Sequence, residues 1–159
     1  MTAAPPPSFA EDRRAEIRSR ATAIGIDEVY ISLLVETFYA RIRVDEMLGP
    51  IFERTVGDRW PPHLARLKRF WGSVALNAGA YSGRPVEVHQ RLDGVTRRHF
   101  RRWLDLFRQT LVETAPSADA VEYFMQRADR IAASLQMAMF DRFSEANHEP
   151  PVLTTLRTT

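Results

Sequence analysis

Apolar residues recur along this chain every three to four positions, the period of amphipathic helices, and no stretch alternates as a half-buried strand would. Ser8 and Glu11 have the spacing of a capping box. Gly25 ends the turn that follows, and Asp27 and Ser117 can cap later helices. The predicted helices cover about residues 9–22, 28–43, 59–78, 85–92, 97–115 and 118–143. Because no repeat or domain boundary interrupts this pattern, the fold class predicted is all-α.

Prolines mark two further boundaries. The segment LGPIF at 48–52 predicts a break between helices, and its apolar side chains are expected to fill space in the interior like a plug. Pro61 and Pro62 fit the first turn of the next helix, which Asp58 can cap.

Composition narrows the class of protein. The 159 residues, 45% of them hydrophobic, suffice for one core. We predict a flexible extension over residues 1–10, a folded domain over 11–145 and a loose tail over 146–159. The absence of cysteine excludes a disulfide, a thiolate nucleophile and an iron–sulfur cluster. No apolar run reaches the roughly 18 residues of a spanning helix, and the N-terminus lacks the pattern of a secretory signal. We therefore expect a cytoplasmic protein without a membrane partner.

Four polar rings from four predicted helices fall on or beside apolar faces. His89 lies in the middle of the apolar face of its short helix, and His63 lies inside the apolar arc of its own. Tyr39 sits at the edge of an apolar arc, and Trp103 sits near the centre of another. Singly, each is more often a core residue whose polar atom meets a backbone carbonyl. Together they would bury several polar groups in one small domain, which is costly unless they share a polar ligand.

The kind of ligand follows from the donor set. Neither inward histidine has an Asp or Glu beside it on the apolar face, and cysteine is absent, so an ordinary zinc site is disfavoured. A porphyrin brings four ligands of its iron and needs only one histidine from the protein. A haem site therefore fits the pattern better than a metal ion held by protein ligands alone.

Several segments, with their spacing, resemble the truncated globins of the third group, over about residues 31–143. They are FYARIR at 38–43, LGPIF at 48–52, WPPHLARLKRFW at 60–71, YSGRP at 81–85 with His89, FRRWLDLF at 100–107 and QRADRIAASLQMAMF at 126–140. The paired-glycine motifs of the other two groups are absent. The resemblance implies a two-over-two helical sandwich around haem b with a reduced first helix. Here the first helix is longer, and the family suggests no role for the two terminal extensions.

By this resemblance, His89 is the proximal iron ligand. Tyr39, His63 and Trp103 match the distal positions, where they would stabilise charge on a bound ligand. His63 could also act as a gate or bind iron as a sixth ligand. The other residues predicted to contact the cofactor are Phe52, Arg66, Leu67, Phe70, Trp71 and Phe107. Arg66 could pair with a haem propionate, and an ordinary solvated arginine is an equally good interpretation.

The expected small ligands are O2, NO, CO or peroxide. Donors that slow ligand release favour NO or O2 chemistry over bulk transport. NO dioxygenase or peroxidase-like turnover would need a separate reductase, because no flavin or nicotinamide motif is present. Storage or sensing without turnover is the alternative.

A third hypothesis is a non-haem interaction or nucleic-acid module that uses the arginine-rich run at 97–102. Those arginines fall on the polar face of their helix, and the net charge is only +2. We therefore expect a solvated face, no nucleic-acid partner, and a monomer or weak dimer. His99 borders the apolar face and is interpreted as structural.

Overall fold

A computed structural model of the chain describes residues 8–76, 89 and 92–141. Every regular element in those ranges is helical, as the sequence predicts. The elements are α1 Phe9–Ala23, α2 Glu28–Val44, α3 Gly49–Val56, α4 Trp60–Leu76, α5 Arg97–Thr114 and α6 Ala118–Gln136, followed by a π-helical turn over Met137–Asp141. His89 is itself helical. The rest of its predicted helix, apart from Leu92, lies outside the described residues, as does the predicted tail.

The helix starts follow the capping signals in the sequence. The backbone N–H of Glu11 donates to the Ser8 hydroxyl at 3.3 Å, while the Ser8 N–H donates to the Glu11 carboxylate at 2.7 Å. Asp27 accepts from the Tyr30 N–H at 2.7 Å. These side chains satisfy backbone donors that have no partner within the helix. The predicted capping box and the Asp27 cap are therefore confirmed.

Two sequence predictions near the middle of the chain were wrong. Residues 49–56 form helix α3, not a break, because Pro50 occupies the first turn, where its missing N–H costs no hydrogen bond. Helix α4 begins at Trp60, so Arg59 and not the predicted Asp58 precedes its first residue, and the Arg59 carbonyl accepts the first helical bond from the His63 N–H at 3.1 Å. A side chain at position 59 would find no donor at the second and third helical positions, because Pro61 and Pro62 have no N–H.

Helix α2 lies at the centre of the fold and packs against α3, α4 and α5, while α5 also packs against α6. The pairs α2–α4 and α5–α6 form the two layers of a helical sandwich. The predicted apolar face of α2 is buried: Ile31, Leu34, Val35, Phe38 and Ile42. No helix in the described ranges has the length and apolar character needed to cross a membrane.

The hydrophobic interior is divided into two clusters. The larger cluster draws on α1 to α6 and includes Phe38, Trp71, Phe107 and Phe124. The smaller cluster lies between α5, α6 and the π-helical turn, and consists of Phe100, Ala132, Leu135 and Met139. Residues of both clusters border one large cleft.

Candidate functional site

A cleft enclosing about 1300 Å³, its open mouth included, is lined by side chains from α2 to α6, by His89 and by the segment before α5. Its lining residues are Tyr39, Leu48, Ile51, Phe52, Thr55, Val56, His63, Arg66, Leu67, Phe70, Trp71, His89, Leu92, Val95, His99, Phe100, Trp103, Ile131, Ala132 and Leu135. Most of these are aliphatic or aromatic, with a few polar groups among them. Such a lining is typical of sites for large apolar ligands and cofactors.

The cleft brings together nine of the ten residues that the sequence predicted for the site. The four polar rings, Tyr39, His63, His89 and Trp103, all line it. The five that join them are Phe52, Arg66, Leu67, Phe70 and Trp71. Side chains from separate helices therefore converge on one space.

Phe107 is the predicted site residue that does not line the cleft. It is fully buried and stacks on Trp71, with ring centroids 5.0 Å apart and planes at 20°. It also stacks on Trp103 at 5.4 Å and 10°. Phe107 therefore lies one layer behind the cleft surface, where it supports the two indoles that form the wall.

Tyr39 brings a buried phenol to the cleft, and only 4% of the residue is exposed. Burial raises the pKa of Tyr39, and the neighbouring indole of Trp103 offsets part of that rise. The ring packs edge-on against Phe38 and Phe52, at 4.9 Å and 5.8 Å. The phenol is therefore held in place and stays protonated, so it can donate a hydrogen bond over the whole physiological pH range.

His63 brings an imidazole that is half-buried, and its Nε2 has no hydrogen-bond partner within the described residues. Burial lowers the pKa of His63, and the positive charges of Arg66 and Arg59 lower it further. The ring is thus neutral near pH 7, with one donor and one acceptor nitrogen.

Arg66 lies at the rim of the cleft, where it is exposed. Its guanidinium forms no ion pair with any residue in the described ranges. A free guanidinium beside an apolar cleft is suited to bind a carboxylate of a ligand that occupies the cleft.

His99 also lines the cleft, but its Nδ1 serves the start of α5. It accepts from the backbone N–H of Thr96 at 2.9 Å and lies 3.0 Å from the Thr96 hydroxyl. This contact agrees with the structural role that the sequence suggested for His99.

Sequence reasoning did not identify the part of the lining that α6 and the segment before α5 contribute. Ile131, Ala132 and Leu135 share one face of α6, while Val95 precedes α5 and Phe100 lies in its first turn. The spacing at 131, 132 and 135 marks an apolar helix face. That signal cannot distinguish a face that packs on a core from one that borders a cleft.

The donor set limits what metal the cleft could hold. Among the described residues, no three His, Cys, Asp or Glu side chains are grouped as a protein-only metal site would need. A metal bound here must bring ligands of its own. The orphaned Nε2 of His63, the nearby His89 and the apolar walls fit a planar metal-bearing macrocycle.

Comparison with known proteins points to one family. No family model matches the chain. The chain is similar to the group 3 truncated haemoglobin ctb of Campylobacter jejuni subsp. jejuni, with 32% identity over 118 residues that cover 72% of this chain and 92% of the relative. The fold is similar to the crystal structure of a group III truncated haemoglobin from Campylobacter jejuni. That match has a TM-score of 0.69 and 32% identity, and covers 74% of this chain and 94% of the other.

Proposed function

The chain belongs to the group 3 truncated haemoglobins, and from that premise we propose that its cleft holds haem b and binds diatomic ligands. One observation carries the proposal: two histidines, a phenol and an indole line a single apolar cleft. A haem offers a large apolar surface to such walls, and when bound it supplies an iron that takes a protein ligand and leaves a position open for O2, NO, CO or peroxide.

In this proposal, His89 is the proximal ligand and binds the iron through one ring nitrogen. It is helical and lines the cleft. The second ring nitrogen of a ligating histidine normally donates to a carbonyl or carboxylate, which fixes its tautomer. With His89 as the proximal ligand, Tyr39, His63 and Trp103 would contact the diatomic ligand on the distal side.

The distal residues act as donors in a site from which water is largely excluded. The Tyr39 phenol stays protonated because burial raises its pKa, and the indole N–H of Trp103 can only donate. Fixed donors of this kind stabilise negative charge on a diatomic ligand without having to reorganise. His63 supplies a third polar group, as a donor to the ligand, a gate or a sixth iron ligand.

The remaining cleft residues bind and shield the cofactor. Arg66 pairs with a propionate at the rim, and Phe52, Leu67, Phe70 and Trp71 cover the apolar ring. Phe107 acts indirectly, by holding Trp71 and Trp103 in their stack.

Strong distal donors slow ligand release, which suits NO or O2 chemistry better than bulk transport. Turnover requires electrons from a separate reductase. A storage or sensing protein would bind the ligand in the same cleft but would not receive electrons from a reductase. We further propose that the protein acts in the cytoplasm as a monomer or weak dimer, without nucleic acid.

Visible spectra of the ferric, dithionite-reduced and CO-bound protein test the haem proposal. We expect a Soret band that CO shifts, and a haem affinity reduced mainly by His89→Ala. Sharp six-coordinate ferrous bands that His63→Ala removes would assign His63 as a sixth ligand. A chain that shows no Soret band even after addition of haem would overturn the proposal.

Consumption of NO separates turnover from storage. With O2, an excess of NO and an added flavoprotein reductase, an NO dioxygenase would consume NO at a steady rate, with nitrate as product. A single stoichiometric burst that is not followed by turnover would favour storage or sensing.

A further inference from the structure

Two buried side-chain polar atoms in the described part of the chain have no hydrogen-bond partner: Nε1 of Trp60 and Nε2 of His63. Such atoms are rare in folded proteins, because a buried group without a partner loses the hydrogen bonds it would make to water. Both residues lie in the first turn of α4, and their ring centroids are 5.5 Å apart with planes at 86°. The two orphaned atoms therefore belong to one ring contact.

The two atoms have complementary chemistry. The indole nitrogen can only donate, whereas a neutral imidazole has one nitrogen that accepts. The proposed haem does not account for the Trp60 N–H, because Trp60 does not line the cleft and an indole N–H does not bind iron. A nearby acceptor is what this group lacks.

Trp60 is held firmly by its neighbours. Only 4% of the residue is exposed, and its ring stacks with Phe52 at 6.1 Å and 23°. The guanidinium of Arg43 lies over the same ring, 4.7 Å from its centroid. His63 is only half-buried. Of the two rings, His63 is therefore the one with room to turn.

We propose that Trp60 is a positioning residue for His63: a rotation of the imidazole allows His63 Nε2 to accept a hydrogen bond from the Trp60 indole N–H. In that orientation Nε2 is engaged with Trp60 and is withdrawn from a ligand in the cleft. When this bond is broken, Nε2 is available to the cleft. The hydrogen bond itself does not depend on haem, whereas its effect on ligand binding rests on the proposed function.

The variant Trp60→Phe tests the bond because it keeps an aromatic ring against Phe52 and Arg43 and removes only the donor. In full-length protein labelled with ¹⁵N, CO-bound where haem is present, we expect the Nε2 resonance of His63 to move toward that of an imidazole nitrogen without this bond. The indole N–H resonance of Trp60 should shift reciprocally in His63→Phe. Unchanged resonances in both variants would overturn the proposal.

Ligand kinetics test the consequence. Loss of a net hydrogen bond changes an equilibrium by about two- to tenfold. We therefore expect Trp60→Phe to shift His63 toward the cleft and to slow CO association by about that factor. The same substitution in the His63→Phe background is the matched control, and there it should have no effect on the rate. An equal change in both backgrounds would assign Trp60 a packing role only and overturn the proposal.

The two proposals fail in different ways. A protein without a Soret band overturns the haem proposal, and the ¹⁵N resonances of His63 and Trp60 still report on their contact in that protein. A protein with a normal Soret band, in which Trp60→Phe leaves those resonances unchanged, overturns the positioning role alone.

Discussion

The two hydrophobic clusters of this protein differ in size, composition and relation to the cleft. The larger cluster contains many aromatic rings that pack on one another, among them the stack of Trp71, Phe107 and Trp103. The smaller cluster has fewer rings: Phe100, with Phe140 edge-on to it at 6.2 Å, and aliphatic and methionine side chains around them. A domain of this size usually has one contiguous core with at most small satellites. Here residues of both clusters border the cleft, and Leu104 and Ile131 pack against both clusters, so a haem that filled the cleft would extend a contact that the clusters already share.

The two sides also differ in chemistry. The larger cluster carries Tyr39 to the cleft and packs Trp103 against it, whereas the smaller cluster contributes Phe100, Ala132 and Leu135. Hydrogen-bond donors are thus concentrated on one side of the space. This asymmetry is compatible with the proposed haem site, in which donors on one side of the cleft would meet the bound diatomic ligand.

The strongest test of this comparison is to remove the group proposed to hold the haem between the two clusters. His89→Ala should lower haem affinity by more than about 100-fold, because losing a group that only hydrogen-bonds to a metal ligand already costs roughly 10- to 100-fold in metal affinity. The measurement is the rate of haem transfer to an excess of an apo-globin acceptor, followed at the Soret band. Retention of haem at the wild-type rate would contradict the assignment of His89.

His99→Ala is the matched control, since it removes another imidazole that lines the cleft. Because the Nδ1 of His99 caps α5, we expect a loss of about 1 kcal/mol in the free energy of unfolding. Haem transfer should stay close to the wild-type rate.

The next largest effect is on the free energy of unfolding, and it tests whether truncating a side chain in each cluster costs the same with and without haem. Phe107→Ala should lower the free energy of unfolding by about 3–5 kcal/mol with or without haem, because Phe107 is fully buried within the larger cluster. Leu135→Ala should cost less in haem-free protein than in haem-loaded protein, since one side of Leu135 faces the cleft. Urea unfolding of both variants in both states measures this difference. Equal costs of Leu135→Ala in the two states would indicate that the cleft is not filled.

Features that depend on residues close together in sequence could be predicted from the sequence alone. Caps at Ser8 and Asp27 were predictable because a cap depends on a few neighbouring residues. The polar rings were found because a histidine or tyrosine on an apolar face is visible on a helical wheel. A helical wheel shows toward which side of a helix a side chain points but not how far it lies from the cleft. Phe107 was therefore predicted as part of the pocket wall, although it lies behind Trp71, which forms that wall.

Other features depended on tertiary neighbours and had no local signal. The orphaned indole of Trp60 results from burial beside Phe52 and Arg43, which come from other helices. Helix α3 was missed because a Gly-Pro pair is compatible with both a break and a helix start. The split between the two clusters is likewise invisible in the sequence, since both use ordinary amphipathic faces.

A smaller effect tests the polar side of the cleft. Tyr39→Phe should speed O2 release by about 10- to 100-fold, because a hydrogen bond to a charged group is worth about 1.5–3 kcal/mol. Stopped-flow displacement of O2 by CO measures the rate. Tyr30→Phe is the control on the same helix: its hydroxyl pairs with Thr114 at 3.0 Å and does not line the cleft. If both variants released O2 equally fast, the Tyr39 phenol would not be the distal donor.

The smallest effect concerns a contact that ties the end of α2 to the part of α5 bearing Phe100. Burial raises the pKa of the Asp45 carboxyl, but hydrogen bonds from Arg102 and from the backbone N–H groups of Leu48 and Met47 outweigh burial and leave that pKa below its usual value. Arg102 donates to Asp45 at 2.6 and 2.9 Å. The carboxylate therefore stabilises the fold above about pH 4.

This contribution is lost as the pH falls through the lowered pKa of Asp45, since protonation there is easier in the unfolded chain. Asp45→Asn should cost about 1–2 kcal/mol at pH 7 and should weaken the fall in stability below about pH 4, as measured by urea unfolding at a series of pH values. The exposed Asp129→Asn should stay within about 0.5 kcal/mol of wild type. An acid profile for Asp45→Asn that merely runs parallel to the wild-type profile would mean that this carboxylate does not link the two regions. If the acid profile of Asp45→Asn does flatten, and this variant also loses haem less steeply than wild type as the pH falls, then the Asp45–Arg102 contact between α2 and α5 stabilises the haem-bound protein as well as the fold.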